Sequence, residues 1–176
     1  MKITIRQEIP DDFKEVSDII EDAFQNEEIS DNTEHRLVER LRNSEAFIPE
    51  LSLVAVNGNE IVGHILLTRI KIESEKKTFD SLALAPVTVN PVYQKKGIGG
   101  LLIRESHRIA KEMGFKSIIL LGHEDYYPRF GYELTSKYGI KIPFDAPEEN
   151  CMAIELVEDG LKGISGTVEY AKEFYE

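Results

Sequence analysis

The sequence of 176 residues contains no tryptophan and a single cysteine, Cys151. One thiol cannot form an internal disulfide, and the four histidines are scattered without the Cys/His spacing of a zinc site. These scarcities argue against a disulfide-stapled scaffold or a metal-binding module, and they favour a reducing compartment. Cys151 opens an apolar stretch and is expected to be buried rather than to act as a nucleophile.

Long apolar runs are also missing. No stretch approaches the roughly 20 apolar residues that a membrane-spanning helix requires. The start, Met1 to Arg6, alternates apolar and polar residues instead of forming the apolar block of a signal peptide. Positive charge is scarce, because the chain has 21 basic and 32 acidic residues and a net charge of −11. We therefore expect a cytoplasmic protein with neither a nucleic-acid nor a membrane partner.

What the sequence does contain is the composition of a folded domain, with 41% hydrophobic and 30% charged residues. The length predicts a single domain over residues 1–176. Charge is unevenly distributed: residues 11–50 hold 13 acidic and 4 basic residues, whereas residues 91–116 hold 6 basic and 2 acidic ones. A basic segment in an acidic protein is either chance surface decoration or part of an anion-binding site.

Apolar periodicity predicts two helices in residues 11–41, followed by a β-hairpin that turns at Asn57-Gly58. The apolar run 82–89 contains Pro86, which lacks a backbone N–H and therefore predicts a bulge or a sheet edge. A helix over residues 98–113 separates this run from a second buried strand at 117–121. Because parallel neighbours need such a crossover, we predict that the two strands are parallel and diverge toward a cleft.

Between the bulged strand and its helix lies the segment Gln94-Lys95-Lys96-Gly97-Ile98-Gly99-Gly100. Its glycines allow backbone N–H groups to point into one concavity at a helix N-terminus, which suits a phosphate, although an ordinary glycine-rich turn has the same composition. The segment lacks the Gly-Lys-Ser/Thr of a Walker loop, and Leu102 stands where a dinucleotide fingerprint has its third glycine.

These features resemble the GNAT superfamily of N-acetyltransferases, whose acetyl-CoA signature is Gln/Arg-x-x-Gly-x-Gly/Ala after a bulged strand and at the start of a helix. Residues 94–99 match this signature position by position. Residues 86–91 are similar to the family's splayed strand, and residues 127–132 are similar to its tyrosine-bearing segment. The resemblance implies an α/β (α+β) fold with a mixed, mostly antiparallel central sheet flanked by helices. It also implies a bulged strand and a V-shaped cofactor cleft.

The resemblance further implies that acetyl-CoA is the co-substrate and that no metal takes part. Its pyrophosphate is expected on the backbone amides of the glycine-rich segment, and its pantetheine arm is expected beside the bulged strand. The implied cofactor-binding residues are Val87, Thr88, Val89, Gln94, Lys95, Lys96, Gly97, Ile98, Gly99 and Gly100. Tyr127 matches the tyrosine that protonates the departing thiolate, and the adjacent Tyr126 is an alternative for this role.

The general base is left open, because His123 and Glu124 lie near the expected cleft but a water chain would suffice. The other histidines, His35, His64 and His107, fall in helical or strand patterns and are interpreted as packing or surface residues. In the family, the two N-terminal helices wall the acceptor cleft, and residues 11–50 carry a net charge of −9 here. This charge either attracts cationic amines or only provides solubility.

The sequence therefore predicts an acetyl-CoA-dependent N-acetyltransferase that acts on a primary amine, either a small cationic amine or a protein amino group. We expect a monomer or a homodimer. The alternative hypothesis is a non-catalytic acyl-CoA-binding module that regulates a partner.

Overall fold

The computed structural model describes residues 1–27 and 30–176. Its helices are α1 (Phe13–Phe24), α2 (Glu34–Arg42) and α3 (Ile98–Glu112). Its strands are β1 (Ile3–Gln7), β2 (Phe47–Asn57), β3 (Glu60–Glu73), β4 (Thr78–Val89), β5 (Ser117–Leu121), β6 (Glu133–Leu134), β7 (Ile140–Lys141), β8 (Cys151–Glu155) and β9 (Gly166–Glu169). Within these ranges, every helix is too short or too polar to cross a membrane.

All nine strands join one sheet in the order β1-β2-β3-β4-β5-β8-β6, and β9 pairs with both β3 and β7. The pairs β4–β5 and β7–β9 are parallel, and the other pairs are antiparallel. The mixed, mostly antiparallel sheet flanked by helices confirms the predicted fold class.

The predicted hairpin is formed by β2 and β3. Its turn lies one residue later than the Asn57-Gly58 pair suggests, because Asn57 still pairs with Glu60 in the ladder. Gly58 and Asn59 therefore make the two-residue turn, in which Gly58 takes a positive φ of 65°.

Helices cover both faces of the sheet, and alternation along β3 supplies an apolar surface to each face. Leu66 packs in the cluster that contains Val16 and Ile20 of α1, together with Val38 and Leu41 of α2. The neighbouring Ile65 and Leu67 pack instead in the cluster that contains Ile98 and Leu102 of α3. The sheet thus separates an α1/α2 layer from an α3 layer.

A bulge on β4 occurs where Pro86 predicts it. One residue of β3, Leu66, faces two residues of β4, Ala85 and Pro86. The missing N–H of Pro86 removes no hydrogen bond from the β3–β4 ladder, because the bulge already interrupts the ladder at this position.

Beside the bulge, β4 and β5 share a short ladder of two pairs, Leu82 with Ile118 and Ala83 with Ile119. Toward Val89 and Leu121 the two strands no longer pair, so a cleft opens between their carboxyl ends. This arrangement confirms the predicted parallel and diverging strands.

A buried ion pair ties the α1/α2 layer to the sheet. Arg42 of α2 contacts Glu8 with both Nε and Nη2, at 3.1 and 2.6 Å. Only 6% of the Arg42 side chain and 1% of the Glu8 side chain are exposed. The Glu8 carboxylate also accepts a hydrogen bond from the Ser52 hydroxyl at 2.8 Å, and the Arg42 guanidinium lies 3.9 Å from the centre of the Phe13 ring.

We predict that Arg42→Met lowers the free energy of unfolding by about 3–5 kcal/mol, because it leaves the Glu8 carboxylate buried without its cation. Urea denaturation measures the change. The matched control is Lys14→Ala, which removes the exposed Lys14–Asp18 pair at 3.0 Å and should cost about 1 kcal/mol or less. Equal losses in the two variants would contradict a stabilising role for the buried pair.

Candidate functional site

The glycine-rich segment is tied back onto the end of β4. The Asn90 side chain accepts a hydrogen bond from the N–H of Val92 at 3.0 Å, which shapes the turn Pro91–Tyr93. The Gln94 side chain then donates to the backbone carbonyl of Val89 at 3.2 Å. The first residue of the predicted signature therefore positions the loop.

Two left-handed residues bring the chain from this loop into α3. Lys95 has φ of 64° and Gly97 has φ of 84°. A Cβ on Gly97 would meet no atom within 4 Å, so the backbone conformation and not crowding favours glycine there. The N–H of Leu101 donates to the carbonyl oxygen of Gly97 at 3.2 Å, which is the first hydrogen bond of α3. The N–H groups of residues 98–100 precede this bond and therefore have no partner within the helix. They form a partially positive helix terminus at the mouth of the cleft.

Side chains from the segment after β5 close against this helix start. A Cβ on Gly99 would lie 2.8 Å from the Tyr126 hydroxyl oxygen and 3.7 Å from Val89. A Cβ on Gly100 would lie 3.1 Å from Nη1 of Arg104 and 3.3 Å from the Phe130 ring. Glycine at 99 and 100 thus allows this close approach, and the Tyr126 hydroxyl contacts the start of α3.

Tyr127 lies deeper than Tyr126. It is 8% exposed, and its ring makes edge contacts with Tyr126 and Tyr132 at centroid distances of 5.1 and 5.8 Å. Burial raises the pKa of Tyr127 well above its ordinary value. Burial also raises the pKa of Tyr126, against the opposing charges of Arg129 and Arg104. Both phenols therefore keep their protons near neutral pH.

The β4 residues that the sequence singles out lie beyond the last β4–β5 pair. Val87 and Val89 are half-buried and pack against the cluster of the α3 layer. Thr88 lies between them, is 3% exposed and points to the opposite face. Because β5 does not pair with residues 84–89, the edge of β4 that faces the cleft presents its backbone groups there.

The predicted residues are thus brought together along one line, from the edge of β4 through the glycine-rich segment to the start of α3. Lys95 and Lys96 are exposed on this loop, whereas His123 and Glu124 are exposed beyond the end of β5.

Sequence reasoning left out Arg104, whose guanidinium lies close to Gly100. Exposed basic residues on a helix are more often solvated surface, and for that reason Arg104 is not among the predicted site residues. In the part of the chain that the structure describes, no cluster of three or more His, Cys, Asp or Glu residues could hold a metal ion.

The sequence profile of the acetyltransferase (GNAT) domain matches residues 4–135. The chain belongs to the GNAT family. The family match confirms the predicted family and the predicted class of enzyme, an acyltransferase. The match includes the bulged strand, the glycine-rich segment and the Tyr126–Tyr127 pair.

Two curated relatives come from Escherichia coli K12. The uncharacterized N-acetyltransferase YjhQ is 40% identical over 115 residues, which are 65% of this chain and 64% of YjhQ. The chain thus spans just under two thirds of the length of that relative. The uncharacterized N-acetyltransferase YhbS is 27% identical over 171 residues, which are 97% of each chain.

Solved structures agree with this assignment. The crystal structure of E. coli YhbS in complex with CoA superposes with a TM-score of 0.90 at 25% identity, over 100% of this chain and 93% of YhbS. A GNAT family acetyltransferase from Brucella melitensis in complex with acetyl-CoA superposes with a TM-score of 0.80 at 31% identity, over 98% of each chain.

The packing of Tyr127 yields a prediction about Gly122, because a Cβ at that position would overlap the Tyr127 ring. Gly122→Ala should displace the ring and lower the free energy of unfolding by about 1–3 kcal/mol. Thermal unfolding and near-ultraviolet circular dichroism measure the two effects. Leu121→Ala, at an adjacent position that is 39% exposed, should change stability by about 1 kcal/mol or less. An unchanged tyrosine signal in Gly122→Ala would contradict this packing.

Proposed function

We propose that this protein transfers an acetyl group from acetyl-CoA directly to a primary amine, and that residues 1–176 act as one domain. The observation that carries the proposal is the helix start beside the unpaired edge of β4. The two features together suit a ligand with a phosphate group at one end and an amide-rich arm at the other. Pairing of β9 with β3 supports a single domain, because it brings the C-terminal region into the same sheet.

The pyrophosphate of acetyl-CoA is proposed to bind the first N–H groups of α3, between Gly97 and Gly100. Glycine at 99 and 100 keeps side chains away from this position, and the helix dipole favours negative charge there. Lys95 and Lys96 add mobile positive charge on the exposed side of the loop. The complexes of YhbS with CoA and of the Brucella acetyltransferase with acetyl-CoA support the choice of ligand.

The pantetheine arm is proposed to lie along β4 at Val87, Thr88 and Val89. Beyond Ala83, β5 no longer pairs with β4. Amide groups of the arm would pair with the β4 backbone there, in place of β5. When bound, acetyl-CoA supplies an acetyl group activated as a thioester. The chain then has to orient the amine, exclude bulk water and return a proton to the departing sulfur.

Tyr127 is proposed to provide that proton. Its phenol stays protonated because burial disfavours the phenolate. Packing between Tyr126, Tyr132 and Gly122 fixes the direction of its ring. Tyr126 is proposed to act differently, as a contact of the pyrophosphate loop, because its hydroxyl lies against Gly99.

The acceptor is proposed to be a cationic amine, either a small molecule or a protein amino group. Residues 11–50, which include α1 and α2, carry a net charge of −9, and Asp18, Glu21 and Asp22 of α1 are not buried. A negative potential on this layer would raise the local concentration of ammonium groups.

A thiol-release assay tests the proposal. Acetyl-CoA is incubated with the protein and a panel of amino acids, polyamines, aminoglycosides and lysine peptides, and free CoA is measured in each case. Calorimetric titration with acetyl-CoA runs in parallel. We expect binding and acetylation of at least one cationic amine. Tight binding without turnover on any amine would instead support a regulatory acyl-CoA-binding module.

Gly99→Glu should abolish acetyl-CoA binding and leave the fold largely intact. The new side chain would meet the Tyr126 hydroxyl and place a carboxylate at the proposed phosphate position. Calorimetry measures affinity, and circular dichroism confirms folding. Met113→Glu is the control, because it adds the same charge at an exposed position at the other end of α3. Wild-type affinity in a folded Gly99→Glu protein would show that the phosphate site is elsewhere.

Tyr127→Phe should lower kcat by about 10 to 10⁴-fold with little change in affinity for acetyl-CoA, because it keeps the ring and removes only the proton donor. The paired variant Tyr126→Phe should weaken acetyl-CoA binding and leave kcat nearly unchanged. Steady-state kinetics together with calorimetry separates the two effects. If Tyr126→Phe is the variant that loses kcat, the roles are exchanged, and if neither loses kcat, solvent protonates the thiolate.

A further inference from the structure

A buried histidine with an unused nitrogen lies on the strand next to β4. His64 of β3 has no exposed surface. Its Nε2 lies 3.1 Å from the Ser52 hydroxyl and 3.5 Å from Oε2 of Glu8. Arg42 binds the same carboxylate with two nitrogens. The histidine thus stands at the end of a chain of buried polar groups.

The hydrogen bonds of this chain determine the tautomer of His64. Because the Glu8 carboxylate can only accept, the single proton of the Ser52 hydroxyl is directed at Glu8, at 2.8 Å. Ser52 must therefore accept from His64, so Nε2 carries the proton and Nδ1 carries a lone pair. In this tautomer the basic nitrogen faces away from Glu8, and a carboxylate behind the ring holds its orientation.

Nδ1 of His64 and Oγ1 of Thr88 are both buried, and neither has a hydrogen-bond partner among the residues that the structure describes. The two residues are direct cross-strand partners on β3 and β4 and point to the same face of the sheet. Buried polar atoms without protein partners commonly share an ordered water. One water between them would donate to Nδ1 and accept from the threonine hydroxyl.

This position matters because Thr88 lies between Val87 and Val89, where the pantetheine arm of acetyl-CoA is proposed to lie. Val87 and Val89 face the α3 layer, and Thr88 faces the α1/α2 layer. The acceptor amine is proposed to approach from the α1/α2 layer. His64 thus lies on the same face as Thr88, and a shared water would connect its Nδ1 to the β4 strand beside the proposed cofactor arm.

We propose that His64 is a positioning residue for proton removal, and that its Nδ1 accepts the proton of the acceptor amine through a water shared with Thr88. The inference rests on the proposed function. The bond between the amine nitrogen and the acetyl carbon forms, and the bond between that carbon and sulfur breaks. A cationic acceptor first loses its ammonium proton to solvent. During the transfer the neutral nitrogen loses one further proton through the water to Nδ1, and the sulfur gains one from Tyr127. Nδ1 then returns its proton to solvent through the same water, and the tyrosine regains its proton from solvent.

The groups around His64 are suited to relaying a proton rather than storing one. Burial is the largest influence and lowers the pKa of His64 to about 4, with Glu8 and Asp12 opposing this shift and Arg42 adding to it. The ring is therefore neutral at pH 7 with its lone pair available. Because the pKa of the ring is low, Nδ1 returns the proton to the water after the transfer, and Nε2 keeps its hydrogen bond to Ser52.

The first experiment determines the tautomer by nitrogen-15 NMR of histidine-labelled wild-type protein. His64→Gln identifies the His64 signals by their disappearance. We expect a neutral ring with the proton on Nε2 between pH 6 and pH 8. A proton on Nδ1, or an imidazolium ring at pH 7, would overturn the proposal without reference to any substrate.

The second experiment measures turnover with an amine that the wild-type protein acetylates. His64→Gln, which keeps polar atoms but has no basic nitrogen, should lower kcat by about 10 to 100-fold at pH 7. The deficit should shrink to about threefold or less at pH 9.5, where hydroxide replaces the relay. Affinity for acetyl-CoA should stay within about twofold of the wild-type value, because the side chain is placed away from the cofactor. Thr88→Val should lower kcat in the same pH-dependent way.

Thr68→Val is the matched control. Thr68 also lies on β3 with a buried and unpartnered hydroxyl, but its cross-strand partner is Ala83. It should retain wild-type kcat at every pH. A His64→Gln protein with wild-type kcat, or with an equal loss at pH 7 and pH 9.5, would overturn the relay alone. Acetyl-CoA binding without wild-type turnover on any amine would overturn the proposed function and the relay with it, whatever tautomer NMR finds.

Discussion

The separation of β4 from β5 is the constraint on which the rest of the site depends. Their ladder stops at Ala83 and Ile119, and the bulge at Ala85-Pro86 turns β4 away. Backbone N–H and C=O groups that lose strand partners need other partners. A gap between two neighbouring strands in the middle of a sheet is therefore a place for an extended, amide-bearing ligand, and the crossover through α3 places a helix N-terminus at its mouth.

At the mouth of the cleft between β4 and β5, local electrostatics outweighs the net charge of the chain. The chain carries −11 overall, yet the start of α3 presents unpaired N–H groups beside Lys95, Lys96 and Arg104. Partial charges on a helix terminus act within the first turn, whereas distant surface carboxylates are screened by salt. An acidic protein can therefore bind a polyanion at one place and attract a cation at another.

Local rules in the sequence were enough to predict the elements that build the cleft. Pro86 predicts the bulge because it lacks a donor, and the glycines of residues 97–100 predict the turn into α3 because of their conformational freedom. Contacts between distant segments were not accessible in this way. The approach of Tyr126 to Gly99 depends on how the chain returns after β5. The strand pattern indicated only a packing or surface role for His64, because the neighbouring Glu8 and Arg42 come from other elements.

The alternation of β4 also separates the two proton-transfer groups of the proposed reaction. Tyr127 packs in the cluster of the α3 layer with Val87 and Val89, whereas Thr88 and His64 face the α1/α2 layer. On opposite faces of the sheet, each could act on its own side of a thioester held in the cleft. The period of two residues along β4 would thus place the two proton transfers of the proposed reaction on opposite faces, with the amine losing its proton on one face and the sulfur gaining one on the other.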